Sequence, residues 1–318
     1  MSRKRSWPAS LASSLLLWSC GTATESLSVA HQADRFAAAE WSDPVNLGPI
    51  VNSSDADNAA ALSPDEHTLY FVSNRPGGLG GNDIWASHRR CKTCEWETPY
   101  NLGTPINSAA AEGAPTLSED GRMLFFFTTR ADSVGLADIY VSHRVSTGTN
   151  GDVWGEPVNL GPDVNTAVTE NGSYYTREGG VGTATLYFNR LTAGNLDIYK
   201  AELSNDGVPL GPAVAVSELN DPAATDQKVT VRTDGLELLI SSNRAGSFGN
   251  LDIWRSTRQT VQDPWSTPAH IGPPLNTAGI DSQPSLSRDG QTLIFTSSRS
   301  GGFGNTDLWM STRRPGNR

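Results

Sequence analysis

The sequence predicts an all-β chain, folded as a five-bladed β-propeller of four-stranded antiparallel blades, and three observations carry that expectation. A phrase of the form Leu-Ser-x-Asp-Gly-x-x-Leu-x-Phe-x-Ser-x-Arg…Asp-(Ile/Leu)-(Trp/Tyr) occurs five times, from Leu62, Leu117, Tyr175, Val231 and Leu286. Its second aspartate recurs at Asp83, Asp138, Asp197, Asp252 and Asp307, spaced by 55, 59, 55 and 55 residues, and a fixed period of this kind marks modules that stack on their neighbours. Within the modules, runs such as Thr68-Leu69-Tyr70-Phe71-Val72 and Gln291-Thr292-Leu293-Ile294-Phe295 are apolar on both faces. A sheet with one wet face alternates, so these sheets are covered on both sides. Five small sheets that each pack on two others close as a ring.

Composition agrees. Of 318 residues, 31 are glycine and 19 proline, more than the roughly 12% combined share of an average protein, and the excess falls in turns between short apolar runs. After the N-terminal leader no window keeps a 3.6-residue apolar rhythm. A formal charge of −10 argues against a hold on nucleic acid or on an anionic membrane surface, since both need clustered Lys and Arg. It suits a soluble protein that binds a cation, a basic partner or a neutral polymer.

Residues 1–19 have the architecture of a signal peptide. Arg3, Lys4 and Arg5 precede a short apolar run ending Leu15-Leu16-Leu17-Trp18-Ser19-Cys20, which is too short for a permanent membrane span. It resembles a bacterial lipoprotein signal, in which the cysteine is lipidated and becomes the N-terminus. Leu17 and Ser19 fit that pattern, Trp18 is bulkier than it prefers, and ordinary cleavage nearby is the alternative. Residues 20–40 read as a polar tether, and residues 41–318 as the propeller. With Cys20 lipidated, the remaining thiols are Cys91 and Cys94. An oxidising compartment would join them as a local disulfide. The alternative is a metal set, His88-x-x-Cys91-x-x-Cys94, with three ligands where structural zinc takes four.

Each module opens on a Trp-x-x-Pro phrase (Trp41/Pro44, Trp96/Pro99, Trp154/Pro157, Trp265/Pro268), reduced to Pro209 in one copy. That phrase is expected to supply the fourth strand. Asn-Leu-Gly or its relic follows, then an asparagine at Asn52, Asn107, Asn165, Asn220 and Asn276. Next come an acid at Asp57, Glu112, Glu170, Asp226 and Asp281, a second acid eight residues later, and an arginine at Arg75, Arg130, Arg190, Arg244 and Arg299. In the first module, strands are expected near residues 58–63, 68–74 and 83–89, with Asp-Gly as a hairpin signal in three of the other copies. The last module stops after its third strand, while Trp41 precedes any module that could own it. The N-terminal strand is therefore expected to complete the C-terminal blade.

As a set, these phrases resemble the WD40-like β-propeller repeat family of bacterial envelope proteins, which includes the propeller of the periplasmic Tol-system protein. The resemblance covers about residues 41–313. It implies an extracytoplasmic binding module in a bacterial cell envelope, periplasmic or at the outer membrane.

Groups needed by every blade are first of all architectural. Arg75 and Asp83, and likewise Arg130/Asp138, Arg190/Asp197, Arg244/Asp252 and Arg299/Asp307, flank a glycine-bearing loop and are expected to pair across it. Gly80, Gly135, Gly249 and Gly304 are expected at positive φ, and Trp85, Tyr140, Tyr199, Trp254 and Trp309 are expected between blades. The acids Asp57, Glu112, Glu170, Asp226 and Asp281 precede the innermost strands and would ring one channel mouth. Such a ring could take calcium or a basic ligand, or each acid could bond a neighbouring backbone group or arginine.

No Gly-x-Ser-x-Gly elbow, His-Glu-x-x-His or P-loop is present, so no catalytic residue stands out. The expected function is a non-catalytic, lipid-anchored, monomeric scaffold for an envelope protein or glycan. Its only membrane contact would be the anchor. The alternative is a carbohydrate-active hydrolase or lyase that uses paired carboxylates at the channel mouth.

Overall fold

A computed structural model describes residues 40–148, 151–178 and 183–314. The signal segment, Cys20 and the tether up to residue 39 lie outside the described residues. Strand β1 (Val45–Asn46) comes first. The first blade is β2 (Asp57–Leu62), β3 (Thr68–Ser73), β4 (Asp83–His88) and β5 (Tyr100–Asn101). The second is β6 (Glu112–Leu117), β7 (Met123–Thr128), β8 (Asp138–Gly148), β9 (Gly151–Trp154) and β10 (Val158–Asn159). The third is β11 (Glu170–Thr176), β12 (Ala184–Thr192), β13 (Asn195–Leu203) and β14 (Val214–Ala215). The fourth is β15 (Asp226–Val231), β16 (Glu237–Ser242), β17 (Asp252–Thr257) and β18 (Ala269–His270). The fifth is β19 (Asp281–Leu286), β20 (Thr292–Ser297) and β21 (Asp307–Thr312).

All blade ladders are antiparallel, and β1 pairs with β21, so the N-terminus supplies the fifth blade's outer strand. The first strands of successive blades touch in a closed cycle, β2 to β6, β11, β15, β19 and back to β2. They therefore line the central channel. Between adjacent blades sit five apolar clusters: Tyr70 and Phe126 belong to the one between the first and second blades, Leu69 and Ile294 to the one that closes the ring. Strands apolar on both faces are explained by this double burial. Only a two-residue strand follows each Trp-x-x-Pro phrase.

The repeated asparagine holds blade to blade. Asn107 donates to the Ile84 carbonyl at 2.8 Å and accepts from the Ile84 N–H at 2.9 Å, so one side chain imitates a β-bridge. Asn52, Asn165, Asn220 and Asn276 do the same for Leu308, Ile139, Ile198 and Ile253.

The loop glycines act differently from the sequence expectation. Positive φ falls at Gly77, Gly246 and Gly301, not at Gly80, Gly135, Gly249 or Gly304. A Cβ at Gly80 would lie 1.8 Å from the Ala110 carbonyl oxygen, and one at Gly304 1.8 Å from that of Asp55. Glycine is needed there because the next blade's loop approaches too closely for any side chain.

Two departures break the five-fold pattern. Strand β8 runs on past its blade and folds back as β9, a hairpin that the other blades lack. In the third blade β12 and β13 pair without interruption to a two-residue turn, Ala193-Gly194, with φ of 50° and 97°. Both central residues at positive φ suit a tight hairpin, and the long glycine loop of the other four blades is gone.

Candidate functional site

The five acids at the head of the channel strands are fully buried, with 0% exposure at Asp57, Glu112, Glu170, Asp226 and Asp281. Each is paired with the arginine of its own blade: Arg130–Glu112 at 3.4 Å, Arg190–Glu170 at 2.8 Å, Arg299–Asp281 at 2.7 Å, with Arg75–Asp57 and Arg244–Asp226 likewise. Each arginine also caps a carbonyl, such as Ile106 at 2.8 Å, and lies over the blade's aromatic, as Arg190 does over Tyr199 at 4.4 Å. The expected pairing of Arg75 with Asp83 and its equivalents is therefore corrected: the guanidinium turns to the acid at the channel. With each negative charge matched, the acids are consumed by architecture. Of the two readings of the ring, a cation site or a bond from each acid to arginine, the structure shows the second, and among the described residues no group of three or more His, Cys, Asp and Glu is placed to hold a metal ion.

The second aspartate clamps the glycine loop. Asp138 accepts from Val134 N–H at 2.7 Å, Gly135 N–H at 3.0 Å and Asn159 Nδ2 at 2.8 Å. Asp83, Asp252 and Asp307 repeat the arrangement, with His270 in place of the asparagine at Asp252. Asp197 does not. Its loop is missing, Ala215 stands where the asparagine would be, and its cross-strand neighbour Arg190 is turned to Glu170. Burial and the negative charge of Asp226, against a hydrogen bond from Thr192, raise its pKa.

A further departure meets Asp197 there. In four blades a Ser or Thr hydroxyl bonds the channel acid from four residues before it, as Thr277 Oγ1 does to Asp281 at 2.7 Å. In the fourth blade the corresponding donor is the Asp221 N–H, 2.6 Å from Asp226 Oδ2. Asp221, partly exposed, thus joins this corner through its backbone, while its Oδ1 accepts from the Ala223 N–H at 2.9 Å. Asp197 lies close enough to Asp226 for that charge to act on it, and Phe248 and Phe303 are exposed on the loops clamped by Asp252 and Asp307. Asp221 carried no signal by itself; aligning the five copies at the residues before each acid would have exposed it.

Cys91 and Cys94 are disulfide-bonded. His88 contacts Thr68 Oγ1 at 2.9 Å and the Tyr100 hydroxyl at 3.0 Å, away from metal ligation. It borders a cleft of about 370 Å³ walled by the β8–β9 hairpin and lined by Asp65, Asp120, Arg144 and Asp152. Against a burial penalty that raises them, hydrogen bonds from Ser63 and the His67 N–H lower the pKa of Asp65, and bonds from Ser118 and the Arg122 N–H lower that of Asp120. These two acids are poor proton donors at neutral pH.

No protein-family model matches the sequence, and no curated protein does. Solved structures do match the fold. A thermostable family-43 glycoside hydrolase superposes with a TM-score of 0.58 at 14% identity, over 85% of this chain and 92% of that one. An α-L-arabinofuranosidase from Podospora anserina, in complex with cellotriose, gives 0.54 at 12%, over 84% and 95%. A GH43_1 enzyme from Xanthomonas citri, complexed with xylose, gives 0.56 at 13%, over 90% and 93%. At this identity the likeness establishes the five-bladed fold. The expectation of a non-catalytic scaffold of the WD40-like envelope type is corrected by it: these three propellers, which match over most of both chains, are glycoside hydrolases.

Proposed function

We propose that the protein is a carbohydrate-active hydrolase of glycosidic bonds, with Asp197 as proton donor at the channel mouth. One observation carries the reading: of five equivalent aspartates, Asp197 alone lacks the loop N–H donors, and burial with the Asp226 charge raises its pKa. Glycoside hydrolysis needs a carboxyl that stays protonated to give its proton to the leaving oxygen, and a second carboxylate to act on water or on the sugar. Asp197 fills the first role. Asp221, on the same corner and partly exposed, fills the second. Asp226, buried against Arg244, touches no substrate; its negative charge keeps the proton on Asp197. The exposed rings of Phe248 and Phe303 offer flat apolar faces on which a sugar can lie. The whole-chain likeness to arabinofuranosidases and other family-43 enzymes supports pentose-containing glycans as the first substrates to try.

The test is turnover of aryl α-L-arabinofuranosides and β-D-xylosides, and of arabinoxylan, by the full chain. Asp197→Asn is expected to abolish cleavage of poor leaving groups and to spare 2,4-dinitrophenyl glycosides, which leave without protonation. Absence of turnover on all substrates, or full activity of Asp197→Asn on the polysaccharide, overturns the proposal.

A further inference from the structure

Each channel strand carries a β-bulge two residues after its acid, with positive φ at Ala59, Ala114, Gly172, Lys228 and Gln283. Of the residues at this position only Lys228 carries charge, and it lines the central cavity, whereas Ala59 and Ala114 pack with Val72 and Phe127. Lys228 is 3% exposed. Its Nζ donates to the Ser173 carbonyl at 2.7 Å, and no carboxylate pairs with it among the described residues. An ammonium has three donors, so two are left without a protein partner.

Of the charged groups on the neighbouring strands, the acids at the head of the channel are already matched, and the Glu119 carboxylate at the far rim of the cavity accepts from the Arg177 N–H at 3.2 Å. Asp57, Glu112, Glu170, Asp226 and Asp281 are each held by their own arginine. At the far rim Arg288 donates to the Glu119 carbonyl at 3.1 Å. Beside Lys228 lies a cavity of about 80 Å³, walled by Ala60, Pro115, Tyr174, Pro284 and Ser285. That is room for several waters, hence for one small anion. The Ser285 hydroxyl has no hydrogen-bond partner among the described residues and offers a second donor.

We propose that this channel cavity is a binding site for a small oxyanion, a carboxylate or inorganic phosphate, whose charge is met by the Lys228 ammonium. A buried cation without a counter-charge is costly, and an anion in the adjoining space removes that cost while taking up the spare N–H donors. Burial alone holds the Lys228 pKa down to about 7, as expected where no anion is present. The cavity opens toward the face opposite Asp197, so the site stands apart from the hydrolytic reading.

The experiment is isothermal titration of the full chain at pH 6 with acetate and, separately, with inorganic phosphate. Alongside it, Lys228 labelling by an N-hydroxysuccinimide ester is read by peptide mass spectrometry. Saturable binding of at least one anion is expected, with Lys228 labelling reduced about fivefold or more at saturation and affinity lost at least tenfold in Lys228→Met. Binding of acetate alone identifies a carboxylate ligand, and binding of phosphate alone a phosphate. Binding of neither, or equal binding by Lys228→Met, overturns the proposal. Should Lys228→Met fail to fold, the labelling of the native chain decides: unchanged labelling at saturating anion overturns it.

Discussion

The Arg313 guanidinium lies 4.5 Å over the Trp41 ring, and this contact joins the two ends of the chain. Around it Val45 pairs with Met310, the Ser42 N–H donates to the Thr312 carbonyl at 2.8 Å, and Arg313 donates to buried Glu237 at 2.8 and 2.6 Å. Deleting residues 41–48 opens the ring and exposes both the outer edge of β21 and the last interblade cluster. A drop in Tm of about 10 °C or more is expected; an unchanged melting curve would contradict this closure. Arg313→Ala should cost about 2–4 kcal/mol in urea unfolding, because Glu237 stays buried with one partner fewer.

The channel acids other than Asp226 are predicted to matter for stability and not for turnover. Asp281 accepts from the Thr277 N–H at 2.6 Å, Thr277 Oγ1 at 2.7 Å and Arg299 at 2.7 Å. Asp281→Asn leaves the Arg299 cation unmatched in a nearly buried place, at a cost of about 3–5 kcal/mol. The folded fraction should hydrolyse glycosides at the wild-type rate. Loss of kcat in a fully folded Asp281→Asn variant would return the acids to the catalytic site.

Glycine at the loop contact offers an internally controlled pair. A Cβ at Gly135 would lie 1.8 Å from the Val168 carbonyl oxygen, whereas one at Gly81, in the equivalent first-blade loop, meets nothing within 4 Å. Gly135→Ala is expected to destabilise by about 2–4 kcal/mol and Gly81→Ala by less than about 0.5 kcal/mol. Equal effects would show that the blades can separate at this loop without penalty.

The architecture was legible because period and double-sided apolarity are properties of the chain alone. Partner choice was not. Asp57 lies 18 residues before Arg75 and Asp83 eight after it; only the register that sets Asp57 opposite Ser73, and Ser73 opposite Asp83, decides which carboxylate the guanidinium reaches. Glycine at positions 80 and 135 was recognisable as required, but the requirement is a neighbouring blade's carbonyl, which no local pattern encodes. Asp197 was visible as one of five equivalents and so read as architecture. What sets it apart is the missing loop, a gap apparent only once the β12–β13 hairpin is seen to pair without interruption. Lys228 passed unremarked in Asp-Gln-Lys-Val-Thr-Val; aligned against Ala59, Ala114, Gly172 and Gln283 it is the single cation at that position.

Lys228 also makes stability depend on pH. Burial lowers its folded-state pKa to about 7 from the 10.5 of an ordinary lysine. Between those values the unfolded chain binds a proton that the folded chain does not, so this residue makes stability rise with pH, by about 1.4 kcal/mol per unit at most. Below about pH 7 both states are protonated and the full penalty remains. Lys228→Met should therefore be more stable than wild type at pH 6, with the difference shrinking toward pH 10, as read by urea midpoints. A pH-independent difference would mean that the amine keeps its charge in the channel.

Asp197 and Asp226 make the last prediction. A proton donor works only while protonated, so kcat/KM should fall as pH rises through the Asp197 pKa, at a higher pH than an ordinary aspartate would give. Burial and the Asp226 charge both raise that pKa. Asp226→Asn removes the charge and leaves the burial, which should move the basic limb of the pH–rate profile to lower pH. The position of the limb is the readout, since a loss of folded protein through the broken Arg244 pair lowers the height of the profile without shifting it. A limb that stays in place in Asp226→Asn would separate the two residues and assign the proton to another group.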